Sequence, residues 1–384
     1  MNQLNCADNK KYNIVYLIDG LGWGGAERLM IPILSNINRR RFQPRVCVLQ
    51  NKDGNPVAAE LQKINIPVDT LPIPRLREVG GLKKIINYLQ AANANLLHAQ
   101  LEFATVFGGL AAKWLGIPAA ATLHTLPIQK KNLKLRLHDA LENFFLRNFF
   151  NSVIFVSEET RAAYKRVANI RDDKSCVIYN GIDVNLFMPN RQNRASILRK
   201  FDMRPGAIVL ITVAVLRELK GIQYMIRAMP AIVSAKPNVY YLIIGSGEHA
   251  ESLKNEAKKS GVSNHIIFAG TRTDIAELMS TGDLFVLPTL TEALPTVLAE
   301  AMASGLPILA SQVGGVPEMV QDGINGRLIP PAQPEILAGV TLEMLSDTDV
   351  LRQMGSAGRK IAEEKFNIKA QVIELENLYL RLLS

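Results

Sequence analysis

The stretch Thr289 to Glu318, TLTEALPTVLAEAMASGLPILASQVGGVPE, decides how this chain folds. Just before it, Asp283-Leu284-Phe285-Val286-Leu287-Pro288 is a short apolar run closed by proline, the pattern of a buried strand ending at its carboxyl edge. Pro295 suits the first turn of a helix, where no amide hydrogen bond is needed and φ is already helical. That helix is expected to run to about Ser304, with Gly305 as a left-handed stop. Leu306 to Ala310 reads as the next strand, and Gly314-Gly315-Val316-Pro317-Glu318 repeats the order loop, proline, helix start. Two helix N-termini are therefore expected at one edge of a parallel sheet, where free amides and dipole ends attract anions, phosphate above all.

Glu292 falls in the loop before Pro295, and Glu300 about a turn and a half into the helix. At roughly 1.5 Å of rise per residue, the two carboxylates would be spaced along a ligand several ångströms long. A carboxylate accepts hydrogen bonds from paired hydroxyls, as acidic residues in dinucleotide folds do for ribose. Taken alone, the pair also fits a dipole-complementing Glu292 and a solvated Glu300.

The whole string resembles the retaining family 4 glycosyltransferases of GT-B fold. Their pattern is Glu, seven residues, Glu, an Ala-Met-Ala-like helix, Gly-x-Pro, a strand and Gly-Gly-x-Pro-Glu, and TEALPTVLAEAMASGLPILASQVGGVPE carries each part. The resemblance implies that Glu300 holds the ribose of a sugar nucleotide and Glu292 the transferred sugar. It assigns the diphosphate to the amides of Thr296 and Val297, with Leu294 and Pro295 completing the loop.

The rest of the chain alternates strand and helix patterns, which implies parallel, doubly wound sheets. Tyr12 to Ile18 is apolar; Gly20-Leu21-Gly22-Trp23-Gly24-Gly25-Ala26-Glu27 breaks it, and Leu29, Ile33, Leu34 and Ile37 follow at helical spacing. Glycines there allow close approach of a ligand, or simply a tight turn, and GLGWGG is not the dinucleotide fingerprint. By resemblance, Gly24 and Gly25 contact donor phosphate or acceptor. His98 and His124 each end a strand pattern, where ligands of such sheets bind. Thr-Leu-His-Thr around His124 looks like the family's active-site histidine, which reaches the donor sugar. His98 is read as a structural hydrogen bonder, because Gln100 stands where a second histidine is common.

Ile208 to Val215 opens a second alternating series. The loop after it, Leu216-Arg217-Glu218-Leu219-Lys220-Gly221, sets two cations at a strand's carboxyl end, where they would offset charge on a departing diphosphate or simply lie in solvent. Lys220 matches the family pattern. Ala214 and Val215 occupy the places of its glycine and arginine, which makes Arg217 the substitute. Gly245-Ser246-Gly247-Glu248 supplies the glycine pair that the family uses near the nucleotide, and Thr271 and Arg272 follow the next strand, where the base is expected. Asp347-Thr348-Asp349 looks like a metal-binding Asp-x-Asp, but it falls between two helical patterns and reads as a helix cap. No required metal and no cofactor are expected, only a UDP- or GDP-sugar as donor substrate.

At 384 residues the chain exceeds one typical core. The expected fold class is α/β, GT-B architecture: two doubly wound, Rossmann-like domains with an interdomain cleft. Residues 1–189 form the acceptor-side domain, 190–205 a polar linker, 206–365 the nucleotide-sugar domain, and 366–384 a helix crossing back. Apolar content of 48% with 21% charged residues is ordinary for a soluble protein. The longest largely apolar run, Ala207 to Leu216, is too short for a bilayer, and MNQLNCADNKKYN lacks signal-peptide character, so a cytoplasmic location is expected. Cys6, Cys47 and Cys176 are odd in number and unpatterned, against a disulfide framework or zinc site. The net charge of +9 favours acidic partners, yet no nucleic-acid motif accompanies it. Within Gln129 to Phe150, Lys130, Lys131, Lys134 and Arg136 precede four phenylalanines, a pattern that suits either a helix laid on an anionic inner membrane face or an ordinary amphipathic helix.

These observations converge on a retaining, metal-independent hexosyltransferase with a carbohydrate or lipid-linked acceptor in envelope or capsule glycan synthesis. Two rivals keep the same fold: a non-catalytic sugar-nucleotide binder, and a sugar-nucleotide epimerase.

Overall fold

The computed structural model describes residues 10–22, 24–52, 54–73, 80–127 and 133–384, and within these every side chain except those of 102 and 133–138. The described chain divides into two compact units, 1–180 with 368–384, and 181–367. Each is a parallel sheet wrapped by helices.

In the first unit, β1 (Tyr12–Ile18), β2 (Phe42–Val48), β3 (Val68–Thr70), β4 (Leu96–Gln100), β5 (Ala119–Leu123), β6 (Ser152–Phe155) and β7 (Ser175–Val177) lie in the order β3-β2-β1-β4-β5-β6-β7. In the second, β8 (Ile208–Val213), β9 (Val239–Ile244), β10 (Ile266–Gly270), β11 (Leu284–Leu287), β12 (Ile308–Ser311) and β13 (Gly326–Ile329) lie in the order β10-β9-β8-β11-β12-β13. All described pairings are parallel. Both expected doubly wound sheets are present. Each reverses its winding once, between β1 and β4 and between β8 and β11, and the carboxyl end of such a switch point is where open α/β sheets take ligands.

The central strands are largely apolar because helices cover both faces; β9 is buried at all six positions. At the centre of the second sheet, the Thr212 hydroxyl donates to the Val286 carbonyl at 2.5 Å and accepts from the Tyr241 hydroxyl at 2.7 Å. Three adjacent strands are thereby joined by side chains whose burial would otherwise be costly.

Residues 190–205, expected as a linker, instead fold into the second unit. Arg194–Lys200 is helical with Ile197 and Leu198 buried, and Arg194 pairs with Asp283 at 2.7 Å. The alternation of basic and apolar residues is that of a short surface helix. The division falls at Asn180–Gly181, earlier than expected, and the final helix Ile368–Leu383 packs in the first unit through Val372, Leu375 and Tyr379.

Among the described residues, no helix is long and apolar enough to cross a membrane. Lys130 and Lys131, half of the basic cluster in the membrane reading, lie outside the described residues, as does Cys6. On the helix Leu133–Phe149 and just past it, Phe145 and Phe150 are buried, whereas Leu141 and Phe144 are exposed. Cys47 and Cys176 are free.

Candidate functional site

In the second unit, the loops leaving β8 and β11 meet at the switch point. The β8 loop is gripped on both sides. Towards β9, Leu216 N donates to the Ser246 carbonyl at 2.9 Å and His249 N to the Leu216 carbonyl at 3.0 Å. Towards β11, Leu290 N donates to the Leu219 carbonyl at 2.8 Å, and the Thr289 hydroxyl to the same carbonyl at 3.1 Å. Glycine makes the grip possible: a Cβ on Gly221, which sits at φ 68°, would overlap the Pro288 carbonyl, and one on Gly245 or Gly247 would overlap the carbonyl of Ala214 or Leu216. Gly245 and Gly247 thus have a packing duty that the motif reading missed.

This frame sets Lys220 against Glu292. The ammonium donates to Glu292 Oε1 at 2.5 Å, and the Thr289 hydroxyl lies 3.3 Å from the same oxygen. Gly315 N donates to the Glu292 carbonyl at 3.2 Å, tying in the loop after β12. The Glu292 side chain is 11% exposed and that of Lys220 28%, so the pair is largely withdrawn from water.

Beside it begins the helix Thr296–Ala303. Pro295 is its N-cap, one position before the expected first turn, and no side chain caps it. The first-turn amides of a helix have no intrahelical partner, so the amides of Thr296 and Val297 are offered at the sheet edge. Leu294 is buried in the preceding loop. Glu300 lies in the second turn, half-buried, and its backbone carbonyl accepts from the Ser304 hydroxyl. The other expected N-terminus, Val316–Met319, is a single turn and adds little dipole.

Arg217 is exposed beside this loop. Thr271 pairs its hydroxyl with that of Ser246 at 2.8 Å, near the glycine pair. The Arg272 guanidinium forks onto the Asp274 carboxylate, with Nε to Oδ1 at 2.7 Å, and holds that carboxyl below its usual range. The partner two residues on is a signal that the sequence carried, and it leaves Arg272 less free for a ligand than the resemblance implies.

In the first unit the switch point is built differently. Asp19, at the end of β1, accepts from Phe103 N at 3.1 Å and Ala104 N at 2.8 Å. The start of the helix Glu102–Leu115 is therefore capped by a buried carboxylate, and its amides are not offered to an anion. The glycine loop is also partly filled: the Lys52 stem lies across Gly20, the Glu27 carboxylate folds over Gly24, and Lys52 and Glu27 approach to 3.6 Å. Only Gly25, of the two expected contact glycines, faces open space.

His98 is enclosed. Its Nδ1 lies 2.6 Å from the Tyr379 hydroxyl and its Nε2 2.7 Å from that of Thr122, and burial pushes its pKa down to about 3. This is the structural role read from its context. His124, at the end of β5, has Nε2 2.5 Å from Gln100 Oε1, while its buried Nδ1 has no partner among the described residues. Burial lowers its pKa to about 4, so both rings are neutral near pH 7. Asp19 went unnoticed in the sequence, and Gln100 and Thr289 were given no role there, although each stands at or next to a strand's carboxyl end.

Asp347 caps the helix Thr348–Lys365, its side chain accepting from Asp349 N and Val350 N at 3.0 Å. Among the described residues no cluster of three histidine, cysteine or acidic side chains could hold a metal.

Comparison with known proteins bears on the family and the fold. The family model described as glycosyl transferases group 1 matches residues 193–361, and that described as Glycosyltransferase Family 4 matches residues 23–186. An uncharacterized glycosyltransferase of Methanocaldococcus jannaschii, MJ1607, is 30% identical over 59% of this chain and 59% of its own length. The N-acetyl-alpha-D-glucosaminyl L-malate synthase of Bacillus anthracis is 27% identical over 53% of this chain and 52% of its own length. The chain thus spans between half and three fifths of these two relatives. Anabaena HepE, solved in complex with UDP, superposes with a TM-score of 0.86 at 23% identity over 96% of this chain and 100% of that chain. The same protein in complex with UDP-glucose gives 0.82 at 25% identity over 95% and 99%. The fold is GT-B, and with two adjoining models covering most of residues 23–361, the chain belongs to the family 4 glycosyltransferases.

Proposed function

We propose that the chain transfers a hexose from a nucleoside diphosphate sugar to an acceptor hydroxyl, with retention and without a metal ion. The observation that carries this is the Lys220–Glu292 pair beside the uncapped start of Thr296–Ala303 at the switch point of the second sheet. There, fixed donors await an anion, and a carboxylate stands next to them.

On binding, the donor's diphosphate takes the Thr296 and Val297 amides and draws the Lys220 ammonium from Glu292. The freed Glu292 carboxylate accepts from hydroxyls of the sugar, and Glu300 from the ribose. The sugar-to-phosphate bond then breaks through an oxocarbenium-like state. Charge gathers on the departing diphosphate, where Lys220, Arg217 and the helix dipole oppose it. The acceptor oxygen enters on the face that the diphosphate leaves, and a phosphate oxygen takes its proton. His124 offers an acceptor for a ligand hydroxyl at the first unit's carboxyl edge. HepE, solved with UDP and with UDP-glucose, supports a uridine donor as the first choice. Envelope or capsule glycan synthesis, with a carbohydrate or lipid-linked acceptor, is the setting proposed; exposed Leu141 and Phe144 are consistent with contact at a membrane surface.

A thermal-shift screen against UDP- and GDP-sugars tests donor binding, because a ligand of the native state raises Tm. Incubation with the stabilising donor, with and without saccharide and polyprenyl-phosphate-sugar acceptors, then separates transfer from release of an altered sugar. Failure of every sugar nucleotide to raise Tm would overturn the proposal.

A further inference from the structure

Resting on the transferase reading for its consequence but not for its geometry, we infer that Gln100 is a positioning residue for His124. Its side-chain oxygen keeps the His124 proton on Nε2 and leaves Nδ1 as an acceptor for a hydroxyl of the bound sugar.

The directions of the bonds support this. A glutamine amide has one accepting and one donating end. Gln100 Oε1 lies 2.5 Å from His124 Nε2, so that nitrogen carries the proton; Gln100 Nε2 lies 3.2 Å from His98 Nε2, so that nitrogen accepts. The proton of neutral His98 is then on Nδ1, which donates to the Tyr379 hydroxyl, and Tyr379 in turn donates to Tyr16 at 2.8 Å. With the Thr122 hydroxyl, 2.7 Å from His98 Nε2, donating to that nitrogen alongside Gln100, every bond from Tyr16 to His124 has a consistent donor and acceptor. Turning the Gln100 amide over would move the His124 proton to Nδ1, a buried donor with no partner among the described residues, and orphaned buried donors are rarer and costlier than underused acceptors.

Backbone strain aims the same side chain. Leu101 sits at φ 73°, ψ 176°, a region almost reserved for glycine. It is held there by its neighbours: Asp19 fastens Phe103 and Ala104, and the Thr105 amide and hydroxyl donate to the Leu101 carbonyl at 3.1 and 2.6 Å. Such strain persists only where surrounding structure fixes it, and here it turns Gln100 towards both histidines. An Nδ1 unpartnered among the described residues is what the arrangement leaves over, and a buried polar atom without a partner in a native fold calls for one.

The test is a long-range 1H–15N histidine spectrum of the full chain, with His124 assigned by loss of its signal in H124N. The expected wild-type pattern has the proton on Nε2. Q100E, which still accepts, keeps the Nε2 proton; Q100L, which cannot, gives an averaged pattern for His124 and at least several-fold slower sugar transfer. A wild-type His124 protonated on Nδ1, or a His124 pattern unchanged in Q100L, would overturn the inference. Should Q100L not fold, the wild-type and Q100E spectra still decide it. The spectrum needs no turnover, so a protein that lacks transferase activity yet shows these patterns would refute the transferase reading and the sugar-acceptor role while upholding the hold of Gln100 on the ring.

Discussion

Lys220 and Glu292, separated by 72 positions in the chain, meet at 2.5 Å at the carboxyl edge of the second sheet. Their loops are held by backbone hydrogen bonds on both sides, so the contact is built into the frame. In the proposed function the pair neutralises itself until the donor's diphosphate arrives, and exchange of partners then couples donor binding to release of the carboxylate.

Truncating one member leaves the other largely withdrawn from water and unpaired. K220M is expected to destabilise the protein by about 1–3 kcal/mol and to slow transfer by roughly 10²-fold or more. K220M combined with E292Q should recover part of that stability, because no lone charge remains. A double-mutant cycle measured by thermal melts checks this, with a coupling of about 0.5–3 kcal/mol expected for groups in contact. Strict additivity would mean that the two residues do not act on each other.

The glycines of the two edges should respond differently to a methyl group. G221A forces a Cβ into the Pro288 carbonyl at a positive φ and is expected to cost more than about 1 kcal/mol. G25A meets open space in a helical first turn and should stay within about 0.5 kcal/mol of wild type. Comparing the two melting temperatures tests whether the β8 loop is as tightly gripped as described.

Much of this was legible in the sequence, for local reasons. The strand Tyr12–Ile18 matched its expected bounds because it is buried along most of its length and its apolar run ends abruptly at Asp19 and Gly20. The loop from Thr289 to Pro295 was readable because Pro288 and Pro295 bracket it. What stayed hidden depends on contacts between distant residues. Nothing local to Lys220 announces Glu292, and the partner of His98 is Tyr379, 281 positions away on the last helix. Gly245 and Gly247 suggested a ligand contact, whereas their nearest demand is a neighbouring backbone. The segment 190–205 looked polar enough for a linker because its helix buries only one narrow face.

Removing the buried cap of the first unit should be costly. D19A strips two helix amides of their acceptor, and a loss of about 1–3 kcal/mol is expected. D19N, which can still accept through its carbonyl, should retain part of it. Equal melting temperatures for D19A and wild type would show that Asp19 does not cap this helix.

Acid should weaken the first unit through its histidines. With folded pKa values near 3 for His98 and near 4 for His124, below the unfolded value of about 6.5, the native state binds fewer protons than the unfolded state as pH falls from 6.5. The stability that these rings contribute is therefore fully present above pH 6.5 and is lost progressively towards pH 4. The slope approaches about 1.4 kcal/mol per pH unit for each ring, with His98 the larger contributor because His124 keeps an exposed edge. A series of melts from pH 7.5 to 4.5 should show a flatter profile in H98Q than in wild type. Parallel profiles would contradict burial of a neutral His98.

The central claim is that the second unit binds a sugar nucleotide through the edge that carries Glu292, Lys220 and Glu300. Calorimetric titration of UDP and GDP into wild type and E300Q tests it most directly. One nucleotide is expected to bind wild type at a single saturable site, and E300Q to bind it at least tenfold more weakly through loss of the ribose acceptor. Wild type that binds neither nucleotide, or E300Q with unchanged affinity, would contradict the account.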